Sequence, residues 1–154
     1  MAEGVTLRIS QAVLEHIREH LEAGYPNEAC GALIGRAGGA DAPRQGIEFR
    51  GMRNTNVERS RHRYNIDPVE HLQVQRDAEG RGLEIIGWVH SHPDNQARMS
   101  EFDSTHGWPF YSYVVASVVR GRFAKARSFR LDESSGEYGE ERLEITETEA
   151  VSSP

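Results

Sequence analysis

Apolar positions recur along this chain in two rhythms, and the rhythms divide it into elements. Leu7 to Ile9 reads as a short opening strand. Val13, Leu14, Ile17 and Leu21 then repeat at helical spacing, with Ser10 where an N-cap is needed and Gly24 just past the last turn, so a helix is predicted over about 11–23. Tyr25-Pro-Asn-Glu breaks that pattern. The small, apolar run Cys30 to Gly35 predicts a buried strand, and its glycines permit close backbone approach. A turn over Gly38 to Pro43 leads to a second strand, Gly46 to Asn54. The polar stretch Asn56 to Arg63 reads as a solvated loop, and Tyr64 to Ile66 as a brief strand. Asp67-Pro68-Val69-Glu70 carries an N-cap, a first-turn proline and an early acid. The helix it starts is predicted to reach about Gly80, with Val69, Leu72, Gln73 and Arg76 facing inwards. Leu83 to His90 reads as a buried strand. Tyr111 to Val119 and Phe123 to Leu131 form a predicted hairpin around Arg120-Gly121-Arg122, and Ser134-Ser135-Gly136 turns into a last strand, Arg142 to Thr146. The expected fold class is α/β (α+β): one domain over residues 1–146, with a mixed sheet of about six strands and two main helices. The polar segment 147–154 is expected to be a disordered tail.

Composition narrows the function. The 154 residues suit one domain, long enough to bury roughly 68–70% of its unfolded surface. A net charge of −6 argues against a general nucleic-acid binder. No apolar run approaches the ~20 residues of a membrane helix, and the opening residues lack the basic and apolar regions of a secretory signal, so a cytoplasmic location is expected. Cys30 is the one cysteine, which excludes an intramolecular disulfide and a multi-cysteine zinc site. A zinc nucleoside deaminase is excluded too, because His-x-Glu and Cys-x-x-Cys are both missing.

Chemistry concentrates in Gly87 to Asp103. His90 and His92 stand at i and i+2 on an extended chain, so both imidazoles project to one side and reach one ion. Alone, that pair reads as surface decoration or a satisfied core pair rather than as a metal site. Pro93 ends the strand, and Ser100 and Asp103 have the spacing of a helix N-cap and its third residue, which aims the Asp103 carboxylate back at the histidines. Two histidines and one carboxylate leave a fourth tetrahedral position for water, the pattern of a catalytic zinc site.

His-x-His, seven residues, Ser, two residues, Asp (His90, His92, Ser100, Asp103) resembles the signature of the JAMM (MPN+) metalloproteases. Pro26-Asn27-Glu28-Ala29-Cys30-Gly31 resembles the family's upstream glutamate segment. Gly31 to Gly35, Tyr64-x-x-Asp67-Pro68, Gly87-Trp-x-His-Ser-His-Pro and Tyr111-Ser-Tyr-x-Val-Ala-Ser-Val extend the likeness over roughly residues 5–131. Met99 departs from it, since many relatives have proline there. The resemblance implies an MPN-type, cytidine-deaminase-like mixed sheet flanked by helices, and one Zn2+ per chain held by His90, His92 and Asp103. It also implies Glu28 as general base and Ser100 as oxyanion donor. The implied substrate is a ubiquitin-like or sulfur-carrier (ThiS/MoaD-type) protein ending in Gly-Gly, cut after the second glycine, with release of cysteine as one such activity. Glycine suits a narrow channel beside a metal because it has no side chain to collide with the walls. Self-association into a homodimer is left open.

Two rivals are carried. His90-Ser-His92-Pro-Asp94 fits the opening of a metallo-β-lactamase motif, although Asn95 replaces its next histidine and the chain is short for that double sandwich. A catalytically silent MPN scaffold is the non-enzyme reading. Of the remaining residues, Cys30 reads as a small buried hydrophobe, Trp88 as core, and Trp108 with Pro109 as lining of a substrate groove. Asn54 and Asn56 are candidates for holding an extended substrate backbone, or plain turn residues. His16, His20, His62 and His71 read as solvated, and His106 as an ordinary helical neighbour of Asp103.

Overall fold

A computed structural model describes residues 6–39, 42–56 and 65–147. The elements run β1 (Thr6–Ser10), α1 (Gln11–Gly24), β2 (Cys30–Arg36), β3 (Arg44–Met52), α2 (Pro68–Gly80), β4 (Glu84–Pro93), α3 (Glu101–His106), β5 (Ser112–Val119), β6 (Arg122–Asp132) and β7 (Glu137–Thr146). The solvated-loop reading of 57–63, Tyr64, His62 and the tail from 148 onward lie outside the described residues, as does the side chain of His106.

The mixed sheet closes on itself in the order β1-β3-β2-β4-β5-β6-β7. Closure depends on β1, which pairs in parallel with β3 on one side and β7 on the other. β7 is longer than the sequence pattern suggested because Glu137 to Glu141 pair with β6 before Arg142 to Thr146 pair with β1. Beside the site, β2 pairs antiparallel with β4, and β4 pairs in parallel with β5 from Gly87 to Pro93. The β5 partner carries β4 three residues past His90, so His92 is a strand residue as well.

Successive residues of β4 serve opposite faces, with the phase reset at Ile86, where the register with β2 shifts. Ile86 and Val89 join a core formed with Val13, Ile17 and Leu21 of α1, Leu33, Phe49, Val114 and Val118. Ser10 caps α1 by accepting the Val13 N–H at 3.1 Å. Trp88 faces the other way, with Ala32, Ile34, Tyr113, and Val74 and Ala78 of α2. The expectation for α2 is therefore corrected. Val69 and Leu72 are exposed, as are Gln73 and Arg76, and the buried stripe is Val74 and Ala78. The four expected positions do form one helical stripe, but it faces solvent; Val74 and Ala78, one turn apart, lie on the opposite side, which meets β4. Gly87 lets β5 approach: a Cβ there would lie 2.5 Å from the Ser112 carbonyl oxygen.

Candidate active site

His90 and His92 leave β4 on the same face, and both are buried. A loop fastened to the neighbouring hairpin follows. The Asp94 N–H donates to the Val118 carbonyl at 2.7 Å, and its carboxylate accepts the Tyr25 hydroxyl at 2.6 Å and the Arg120 N–H at 2.8 Å. The loop ends at α3, whose start is a capping box. Ser100 Oγ accepts the Asp103 N–H at 3.0 Å, and Asp103 Oδ2 accepts the Ser100 N–H at 3.0 Å. Because Ser100 Oγ accepts there, its own proton remains to donate outward, and the residue is exposed.

The same Asp103 Oδ2 lies 3.1 Å from His90 Nε2 and 3.0 Å from His92 Nε2, and the two Nε2 atoms are 3.3 Å apart. A shared proton joins only two of these three atoms, whereas a cation satisfies all three. Tetrahedral ligands ~2.0–2.1 Å from zinc are about 3.3–3.4 Å apart, so the triangle fits such an ion closely. His92 Nδ1 donates to the Gln96 carbonyl at 3.0 Å, which directs the Nε2 lone pair at the triangle. Glu28 with His90 and His92 forms a second, looser set, its ligand atoms within 4.8 Å of one another. The His90, His92 and Asp103 triangle is the tighter of the two sets, and Glu28 stands beside it.

The charges follow from burial and pairing. Burial pushes Asp103 upward, but hydrogen bonds from His90 and His92 outweigh it and hold the carboxyl well below its usual range. Burial keeps His90 below its usual value. It also opposes charge on His92, yet the bonds to Asp103 and the Gln96 carbonyl raise that pKa. Glu28 stands apart: burial raises it to about 8, against a pull from His92 and with a push from Asp103. Its Oε1 is buried and has no hydrogen-bond partner among the described residues.

Glu28 is held by its backbone. The Asn54 side chain donates to its carbonyl at 2.9 Å. Ser91 Oγ accepts the Ala29 N–H, and the Ser91 N–H donates to the Ala29 carbonyl, both at 2.9 Å. Asn54 Oδ1 also accepts the Asn56 and Asn65 N–H groups, so this asparagine ties the loop behind β3 to Glu28. The sequence gives no role to Ser91, although it stands between the two histidines.

A cavity of about 630 Å³ opens beside Asp103, walled by Ile66, His71, Trp88, Trp108, Phe110 and Tyr111. Trp108 is 68% exposed on its rim. His71, expected to be solvated, packs edge-on against Trp88 at 4.8 Å with its Nε2 buried. His20 is likewise engaged, its Nε2 bonded to the Cys30 carbonyl at 2.9 Å. Arg44, another residue with no sequence signal, reaches from β3 to brace the far wall. It donates to the Phe110 and Ile86 carbonyls at 2.6 and 3.0 Å, and its guanidinium lies 4.9 Å from the Phe110 ring centre.

Residues 10–132 match the model of the prokaryotic homologues of the JAB domain. The chain belongs to that prokaryotic JAB family. It is 33% identical over 107 residues to a desampylase of Haloferax volcanii, covering 69% of this chain and 73% of the relative. It is 32% identical over 129 residues to the CysO-cysteine peptidase of Mycobacterium tuberculosis, covering 83% of each. A solution structure of a Desulfitobacterium hafniense protein superposes with a TM-score of 0.78 at 27% identity, covering 92% of this chain and 94% of that one. The JAB chain is a JAMM-type hydrolase, which sets aside both the metallo-β-lactamase and the silent-scaffold readings.

Proposed function

We propose that this JAB hydrolase is a zinc peptidase that cuts the amide bond after the C-terminal Gly-Gly of a ubiquitin-like or sulfur-carrier protein. The observation carrying the metal reading is the convergence of His90, His92 and Asp103 with buried Glu28 alongside. The carrier reading draws support from relatives named desampylase and CysO-cysteine peptidase.

His90, His92 and Asp103 would hold the ion. A zinc ion there supplies an acidified water and a polarised scissile carbonyl. Glu28 accepts the proton of the attacking water and delivers it to the leaving nitrogen, a task suited to a carboxylate whose pKa burial has brought near neutrality. The outward Ser100 hydroxyl donates to the oxygen on which negative charge develops, a contribution whose loss typically costs ~10²–10³ in rate. The cavity walled by Trp88, Trp108 and Phe110 receives the chain next to the scissile bond.

The deciding experiment incubates the protein, loaded with Zn2+, with a ThiS/MoaD-type protein extended beyond Gly-Gly. Mass spectrometry should show cleavage after the second glycine and no cleavage of an Ala-Ala version. Cutting of unrelated peptide bonds, or indifference to Ala-Ala, would remove the carrier assignment and leave a zinc hydrolase.

A further inference from the structure

The pairing register carries the face of the two histidines across two more strands. His90 pairs with Val115 and His92 with Ser117. Val115 in turn pairs with Arg127, Ser117 with Lys125 and Val119 with Arg122. Paired residues share a face, so Arg122, Lys125 and Arg127 form a basic row on β6, on the face that bears the histidines. The loop carrying Arg98 lies over the same face, since Ser117 Oγ donates to the Asn95 carbonyl. At ~4.8 Å per strand, the row runs about 10 Å from the imidazoles.

The charges on this row are largely unmatched. Arg98, Arg120, Arg122 and Lys125 are exposed, and among the described residues none is in a salt bridge. Arg127 has a loose partner, Glu140, at 3.6 Å across exposed side chains, a pair of little energetic weight. Asp94, which accepts the Arg120 N–H, also accepts the Tyr25 hydroxyl. All this stands on a chain of net charge −6. Such a chain repels polyanions in general, and a local basic row then selects how an acidic protein approaches.

We propose that the β6 row, with Arg98, is the docking surface for an acidic face of the protein whose tail is cut. The inference rests on the function proposed above. Its dimensions agree with that function: an extended tail gains ~3.3 Å per residue, so three residues span the ~10 Å from row to site. A folded carrier seated on β6 threads its terminal glycines to His92 while its body stays outside.

The test pairs Arg122→Glu/Lys125→Glu with the wild type on two substrates, the tailed carrier and a short peptide containing the same Gly-Gly bond. For the carrier, KM should rise on the order of tenfold with kcat held, and the salt dependence of kcat/KM should flatten. Peptide hydrolysis should be unchanged, which also shows that the variant folds, and Arg122→Lys/Lys125→Arg should behave as wild type. Equal carrier KM in wild type and reversed variant overturns the docking surface. Calorimetric binding of the carrier separates the two readings. Salt-sensitive binding that the reversal abolishes, without cleavage by wild type, upholds docking while the peptidase reading fails. Binding of duplex DNA in place of the carrier, lost on reversal, overturns the protein partner.

Discussion

Glu28 shows how one burial sets a chemical property. Its carboxyl is 5% exposed and its pKa is raised to about 8 from an ordinary 4.5. In metal-stripped protein the fold therefore favours the protonated form. Stability is full below pH ~4.5 and declines as pH rises toward ~8, by on the order of a few kcal/mol. Glu28→Gln should remove that decline, as urea titrations of the two stripped proteins across pH 4–9 would show; parallel curves would refute it. In the loaded enzyme, Glu28→Gln should retain zinc and fold while losing ~10²–10⁴ in rate. His92→Ala should instead lose zinc by elemental analysis, and equal zinc in both proteins would exclude His92 as a ligand. Cys30 is fully buried and its thiol is pushed up to about 12, chiefly by burial. It should resist alkylation in the native protein at pH 8 and react on unfolding; prompt native labelling would contradict the packing.

Among the elements, α3 is six residues long and has no bulk of its own, so its capping box is what fixes Asp103. Ser100→Ala removes the acceptor for the Asp103 N–H as well as the outward hydroxyl. It should cost about 0.5–2 kcal/mol in denaturant titration and weaken zinc retention, besides slowing hydrolysis. A variant with unaltered stability would mean that the box does not hold the helix. In α2, Val74→Ala should destabilise measurably, because Val74 is 4% exposed, whereas Val69→Ser, at a position 62% exposed, should stay within about 0.5 kcal/mol. The sequence pointed to the opposite weighting, because Pro68 fixes where α2 starts but says nothing of which side meets the sheet.

On the scale of the whole molecule, the closed sheet brings together groups from three separate stretches of chain. Zinc that binds only the assembled site adds stability, so chelation should lower the thermal midpoint of wild type and leave His92→Ala unmoved. Acidification should release the ion as the histidines protonate. The sequence by itself determined the ligand set as a candidate, because alternation along a strand and the Ser-x-x-Asp cap are local geometry, readable from spacing alone. It likewise determined α1, its Ser10 cap and the strand that carries the histidines. Only the tertiary structure decided that β1 closes the sheet, that Val74 and Ala78 face inwards, and that His71 and Arg44 shape the cavity. It also decided that Ser91 and Asn54 anchor Glu28. Each of these depends on contacts between residues far apart in the chain, such as Asn54 with Glu28 or Arg44 with Phe110, and the spacing of residues along one segment holds no record of what folds against it.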